Sequence, residues 1–164
     1  MLFVSPVFLF LFLPVVLALY YLLRRRRALQ NVWLFLISIF FYAWGEPRFS
    51  LMLMLSIALN WFFAMGIERW RERQSVGKAL LMLAAAFDIG LLFVYKYLDF
   101  SISAFNAVFG SQLRLRNIAL PIGISFFSFQ ALSYVIDVYR GTDRQGVRAQ
   151  KNPLNVGLYI SFFP

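Results

Sequence analysis

Apolar residues in this chain run in blocks of about 20, the length an α-helix needs to cross a hydrocarbon core about 30 Å thick. Residues 2–23, 28–45, 49–67, 79–98 and 118–136 form five such blocks, and 154–164 begins a sixth. Short charged or polar stretches separate them. A soluble domain carries about 45–50% apolar and about 25% charged residues, whereas here 62% are hydrophobic and 14% charged. One soluble core of this size could not hide that excess. The expected fold class is therefore all-α: a polytopic transmembrane helix bundle forming one domain, with five full spans and the start of a sixth.

The net charge of +9 does not point to nucleic acid, which asks for Lys and Arg gathered on one water-exposed face. Here they fall between the apolar blocks. Such clusters report orientation instead, because cytoplasmic loops are enriched in Lys and Arg. With the first helix running outside to inside, Arg24–Arg27, Arg69, Arg71, Arg73, Lys78, Arg140, Arg144, Arg148 and Lys151 all fall inside. Only Arg48, Lys96, Arg114 and Arg116 fall outside. An outside N-terminus follows. Tyr20, Tyr21, Trp70 and Tyr139 at inner ends, and Tyr42, Trp44, Tyr95 and Tyr97 at outer ends, fit interfacial aromatic belts. The first block has no charge before it and four arginines after it, so it reads as an uncleaved anchor rather than a signal peptide.

Within the blocks, Pro14 is expected to kink the first helix, and Gly45-Glu46-Pro47 marks a turn. Between spans four and five, Ile102, Phe105, Val108 and Phe109 lie on one helical stripe. Ser101 is a candidate N-cap and Gly110 a candidate stop. This predicts an amphipathic helix near 101–110, lying in the outer interface or packed on the protein.

Polar groups inside a span are costly and usually face protein or a hydrated cavity. Asn60 and Asp88 are two, each readable as interhelical glue or as the wall of a substrate path. Gln130, Ser133, Asp137 and Arg140, spaced by 3, 4 and 3, make one polar stripe down a helix, with Asp137 and Arg140 able to pair at i,i+3. That stripe suits either helix packing or a cavity wall. The chain has no Cys and no His. It therefore lacks a thiolate metal site and the commonest general base and metal ligand, and no metal site is expected. No dinucleotide, P-loop, zincin or serine-hydrolase motif is present.

The run Leu120-Pro121-Ile122-Gly123-Ile124-Ser125-Phe126-Phe127-Ser128-Phe129-Gln130, continuing to Asp137-Val138-Tyr139-Arg140-Gly141, resembles a signature of the membrane-bound O-acyltransferase family, in its alginate O-acetylation branch. Phe41-Tyr42-Ala43-Trp44-Gly45-Glu46-Pro47, Asp88-Ile89-Gly90-Leu91-Leu92 with Tyr95-Lys96-Tyr97, and Ser161-Phe162-Phe163-Pro164 resemble further family segments in the same order. The resemblance implies acyl transfer to a hydroxyl. Acetyl groups from a cytoplasmic donor, acetyl-CoA, would pass toward an extracytoplasmic polysaccharide such as alginate, with partner proteins of polysaccharide acetylation completing the transfer and no cofactor bound. In that family Asn commonly stands at the position of Asp88, which favours the glue reading there. The family's proposed catalytic histidine lies on a later helix, beyond Pro164, so no catalytic residue carries over. A fragment inactive on its own is the expectation. The alternative class is a multi-span transporter or a non-catalytic scaffold, although the internal repeat usual in transporters is not visible.

Overall fold

In a computed structural model of the chain, the described residues are 5–45, 47–121, 123–141 and 147–162, and every regular element among them is helical. A π-helical turn, Phe8–Phe12, leads into α1 (Leu13–Leu22). Then come α2 (Arg27–Gly45), α3 (Pro47–Arg69), α4 (Gln74–Leu92), a second π turn (Phe93–Tyr97), α5 (Leu98–Phe109), α6 (Ile124–Gly141) and α7 (Pro153–Ser161). Among the described residues, two helices have both the length and the apolarity to cross a bilayer, Pro47–Arg69 and the continuous run Gln74–Phe109. α6 has the length but carries the polar stripe, and α7 is only 9 residues long.

The exterior is far more apolar than that of a water-soluble protein, and several polar side chains sit inside with the apolar core. Large apolar groups point outward, with Phe10 82% and Leu51 74% exposed, while Ser50, Ser56, Asn60, Asp88, Ser128 and Ser161 are buried. Water would tolerate exposed apolar patches of only a few hundred Å². Hydrocarbon is the solvent that such an exterior matches, because it leaves hydrogen-bonding groups to find partners inside. This is the exterior of a membrane protein.

The chain forms two compact units. One comprises residues up to Trp61 together with those from Gln150 on, and the other is Phe62–Ala149. In the first, α1 and α2 pack antiparallel: Gln30 Nε2 donates to Tyr20 O at 3.1 Å and Trp33 Nε1 to Val16 O at 3.2 Å. Farther along, Phe41 meets Phe8 edge-on at 5.4 Å. α7 packs on α2 in parallel, Asn31 Nδ2 donating to Asn155 Oδ1 at 3.2 Å. One turn on, Gly157 lies so close to Phe35 that a Cβ would come within 2.6 Å of its ring. Asn152 caps α7, accepting from Leu154 N at 3.0 Å, and Pro153 takes the first helical position, where a missing N–H costs nothing.

In the second unit α4 and α6 run antiparallel. Gly77 faces the ring of Tyr139, and at the other end Lys96 Nζ donates to Ser125 Oγ at 3.3 Å. Gly66 of α3 lies against the side chain of Leu80 of α4. Arg71 Nη2 donates to Gly141 O, the last carbonyl region of α6, where a cation complements the helix dipole. Glu68 pairs with Arg71 at 3.7 Å and accepts from Ala149 N at 3.3 Å.

Several boundaries differ from the sequence reading. The fifth span was expected from residue 118, but α6 starts at Ile124. Pro121 disfavours helix in the residue before it, and Gly123 has φ 80. The helix also runs past the expected end at residue 136 to Gly141, so that Asp137 and Arg140 of the stripe are helical. Ser101 is not an N-cap. The helix passes unbroken from α4 through the π turn, and Ser101 Oγ donates back to Tyr97 O at 2.8 Å, the back-bonding open to a mid-helix serine. Gly110 does stop α5, in the left-handed region at φ 63. At Pro14 the helix supplies a π turn, with Leu13 N–H reaching Phe8 O. Widening of this kind is a usual companion of prolines inside helices. Glu46 of the expected turn lies outside the described residues, between α2 and α3.

Candidate functional site

α6 buries one face, including Ile124, Phe127, Ala131, Tyr134, Val135 and Val138. The predicted stripe borders that face. Gln130 and Ser133 are half-buried, while Asp137 and Arg140 are exposed at the end of the helix. The structure keeps the four on one helix side but forms no ion pair between Asp137 and Arg140 among the described residues. An exposed i,i+3 pair gains only a few tenths of a kcal/mol, too little to hold the long Arg140 side chain against its rotamer entropy.

Asp88 is 1% exposed. It lies on the buried stripe Gly77, Ala84, Asp88, Leu92 of α4, the stripe that meets α6 at Gly77. Asn60 is buried on α3, its Nδ2 donating to Ser56 O at 3.0 Å and lying 3.4 Å from Ser56 Oγ. Such helix-internal bonds are the low-cost way to carry an amide through hydrocarbon. Asn60 belongs to the first unit and Asp88 to the second. Chemically, the α6 side offers an amide, a hydroxyl, a carboxylate and a guanidinium along about three turns. It can bind and orient polar groups, but it contains no imidazole to serve as a base near neutral pH.

A second feature was not read from the sequence. In the first unit α1, α2 and α7 enclose a cavity of about 170 Å³, walled mainly by Phe8, Phe12, Val16, Leu34, Ile37 and Phe41, with Ser38, Tyr42 and Ser161 as its hydroxyls. Ser38 Oγ is satisfied by Leu34 O at 2.8 Å. The buried hydroxyl oxygens of Tyr42 and Ser161 have no hydrogen-bond partner among the described residues. Leaving such a group unmatched costs about 1–3 kcal/mol. The signal was present in α2: Asn31, Ser38 and Tyr42 recur at spacings of 7 and 4, which puts them on one face. That face is the one α7 covers.

Comparison with known proteins gives a consistent set of relatives. The chain is 38% identical over 168 residues to the probable alginate O-acetylase AlgI of Pseudomonas aeruginosa, a match that takes in all of this chain and 31% of that protein. It is 36% identical over 168 residues to the probable alginate O-acetylase AlgI of Azotobacter vinelandii, again across the whole chain and 32% of the relative. To the peptidoglycan O-acetyltransferase of Helicobacter pylori it is 29% identical over 187 residues, covering the whole chain and 35% of that protein. The chain thus spans about a third of the length of the curated relatives it matches. No family model and no solved structure matches it. The likeness read from its motifs is therefore carried by whole-chain similarity to named O-acetyltransferases.

Proposed function

We propose that this chain is the membrane portion of a polysaccharide O-acetyltransferase of the membrane-bound O-acyltransferase family. It helps pass acetyl groups from a cytoplasmic donor, acetyl-CoA, toward hydroxyls of an extracytoplasmic polysaccharide such as alginate. The observation that carries this is the similarity of the whole chain to alginate and peptidoglycan O-acetyltransferases. Acetylation-partner proteins complete the transfer.

The packing of α2 and α7 supports a five-crossing topology. α2 and α7 lie side by side in parallel, Asn31 by Asn155, so both start on the same side of the bilayer. An even number of crossings must separate those starts, and α2, α3, α4 and α6 supply four. The Arg-rich loops then fall on the cytoplasmic side, with the N-terminus outside. α6 runs inward, so Asp137 and Arg140 emerge where an anionic thioester donor would approach. In this reading Gln130 and Ser133 line the path above them, while Asp88 and Asn60 hold helices together.

Acyl transfer to a hydroxyl needs a base to take the hydroxyl proton and a dry site to protect the acyl donor. This chain has no histidine. Its part is to hold and admit the donor, with the base supplied from outside these 164 residues. Two measurements test the reading. Disrupting the gene in a host that makes an O-acetylated polysaccharide should abolish the acetyl signal in the polymer's proton NMR spectrum while polymer yield stays unchanged. Loss of the polymer itself would favour a transporter. Gln130→Ala combined with Asp137→Ala should lower acetylation severalfold at unchanged membrane levels, and an unchanged acetyl content would remove the stripe from the donor path.

A further inference from the structure

We propose that the cavity enclosed by α1, α2 and α7 seats the acyl chain of a bilayer lipid, held at its ester group by Tyr42 and Ser161. This goes beyond the acetyl-transfer reading and does not depend on it.

The walls decide what kind of molecule fits. At about 170 Å³, the cavity is close in size to an apolar cavity of about 150 Å³ that stays dry and binds benzene or xenon. Water needs two to four polar partners to settle in such a space. Along Phe12, Val16, Leu34 and Ile37 it would find none, whereas hydrocarbon loses nothing there. The hydroxyls decide what the hydrocarbon carries. Tyr42 Oη and Ser161 Oγ are buried without a hydrogen-bond partner among the described residues, and each has a proton to donate. An ester group has two oxygens and no proton, so it accepts what they offer.

Position decides the source. Tyr42 belongs to the half of α2 that ends at Gly45, Ser161 is the last residue of the parallel α7, and the apolar wall continues to Leu34 nearer the middle of α2. Tyrosine side chains on a helix lean toward its N-terminus, which carries the Tyr42 hydroxyl back toward the level of Ser38 and Ser161. Polar group nearer the helix end and chain toward its middle is the order in which a leaflet lipid presents itself. On the α1 side, Leu13 and Leu17 line the cavity and are also 38% and 45% exposed. A chain from the surrounding bilayer therefore reaches the cavity without crossing the protein.

The test uses the whole chain in vesicles of phosphatidylethanolamine and phosphatidylglycerol. The vesicles are doped with phosphatidylglycerol bearing a photoreactive diazirine in one acyl chain, in diester or dialkyl-ether form. Peptide mass spectrometry maps the label. The expected result is labelling on the α1 and α2 peptides lining the cavity, about tenfold stronger for the ester lipid, the equivalent of one or two neutral hydrogen bonds. Tyr42→Phe with Ser161→Ala should erase the ester preference and keep the labelling, and Ile37→Trp should remove the labelling by filling the space. Helical content by circular dichroism confirms that each variant is folded. Labelling confined to outward residues such as Phe10 and Leu11, or equal for both lipids in the unaltered protein, would overturn the proposal.

Discussion

Gly157 is the residue on which the α2–α7 contact turns. Its missing side chain lets Phe35 pack against the backbone, and a methyl group there would sit 2.6 Å from the Phe35 ring carbon. Aromatic carbons do not approach that closely, so the ring or the helix must move. Overpacking of this kind costs about 1–3 kcal/mol. Gly157→Ala should lower the thermal midpoint of the protein in detergent, and Phe35→Leu in the same chain should recover part of the loss. If Gly157→Ala left the midpoint unchanged, the close contact would be wrong. The neighbouring Asn31–Asn155 bond belongs to the same seam. Polar pairs between helices in lipid contribute only about 0.6–2 kcal/mol, so the tight fit at Gly157 sets the register at least as much as the amides do.

At the scale of elements, the most informative piece is the connection after α5, which is held without secondary structure of its own. Asp99 accepts from Arg116 N at 2.8 Å and from Ile118 N at 3.4 Å. Two turns along α5, Asn106 accepts from Leu113 N at 3.0 Å and from Ser111 Oγ at 2.7 Å, while donating to Leu113 O at 2.8 Å. Two side chains of one helix thus clip the following stretch along their own length. Asp99→Ala should speed hydrogen exchange at the Arg116 and Ile118 amides about tenfold with little change in the thermal midpoint. Sequence reasoning found the stop at Gly110, because only a residue free to adopt positive φ ends a helix that way. It missed these clips, because a carboxylate reaching 17 residues ahead leaves no periodic trace. The start of α6 was likewise misjudged: residues 118–120 are apolar enough for a span, and the local geometry of Pro121 and Gly123 outweighed hydropathy. The α6 stripe was legible because its spacing is helical. The cavity was legible only in the polar face of α2, because the rest of its lining comes from other helices, α7 more than a hundred residues away.

For the molecule as a whole, the apolar exterior is the controlling fact, with Phe10, Leu51 and Met82 outside while Asp88, Asn60 and Ser56 are buried. The orientation built on its charges has a direct check, since the chain contains no Cys and single cysteines can be introduced without background. A membrane-impermeant maleimide should label Leu113→Cys in intact cells, and Arg26→Cys and Ser75→Cys only after permeabilisation. The reverse pattern would invert the topology. The 164-residue chain by itself, in proteoliposomes supplied with acetyl-CoA and a polysaccharide acceptor, should transfer no acetyl groups, because it has no histidine to act as base. The parallel pairing of α2 with α7 also bears on how the protein is made. Asn31 bonds a residue 124 positions later. At about 5–20 residues per second of synthesis, α2 waits roughly 6–25 s in the membrane with its polar face exposed to lipid before its partner arrives. During that interval the nascent chain is at its most exposed to membrane chaperones and quality-control proteases. Slowing or truncating translation before Asn155 should therefore shorten the lifetime of the product well before it alters any chemistry.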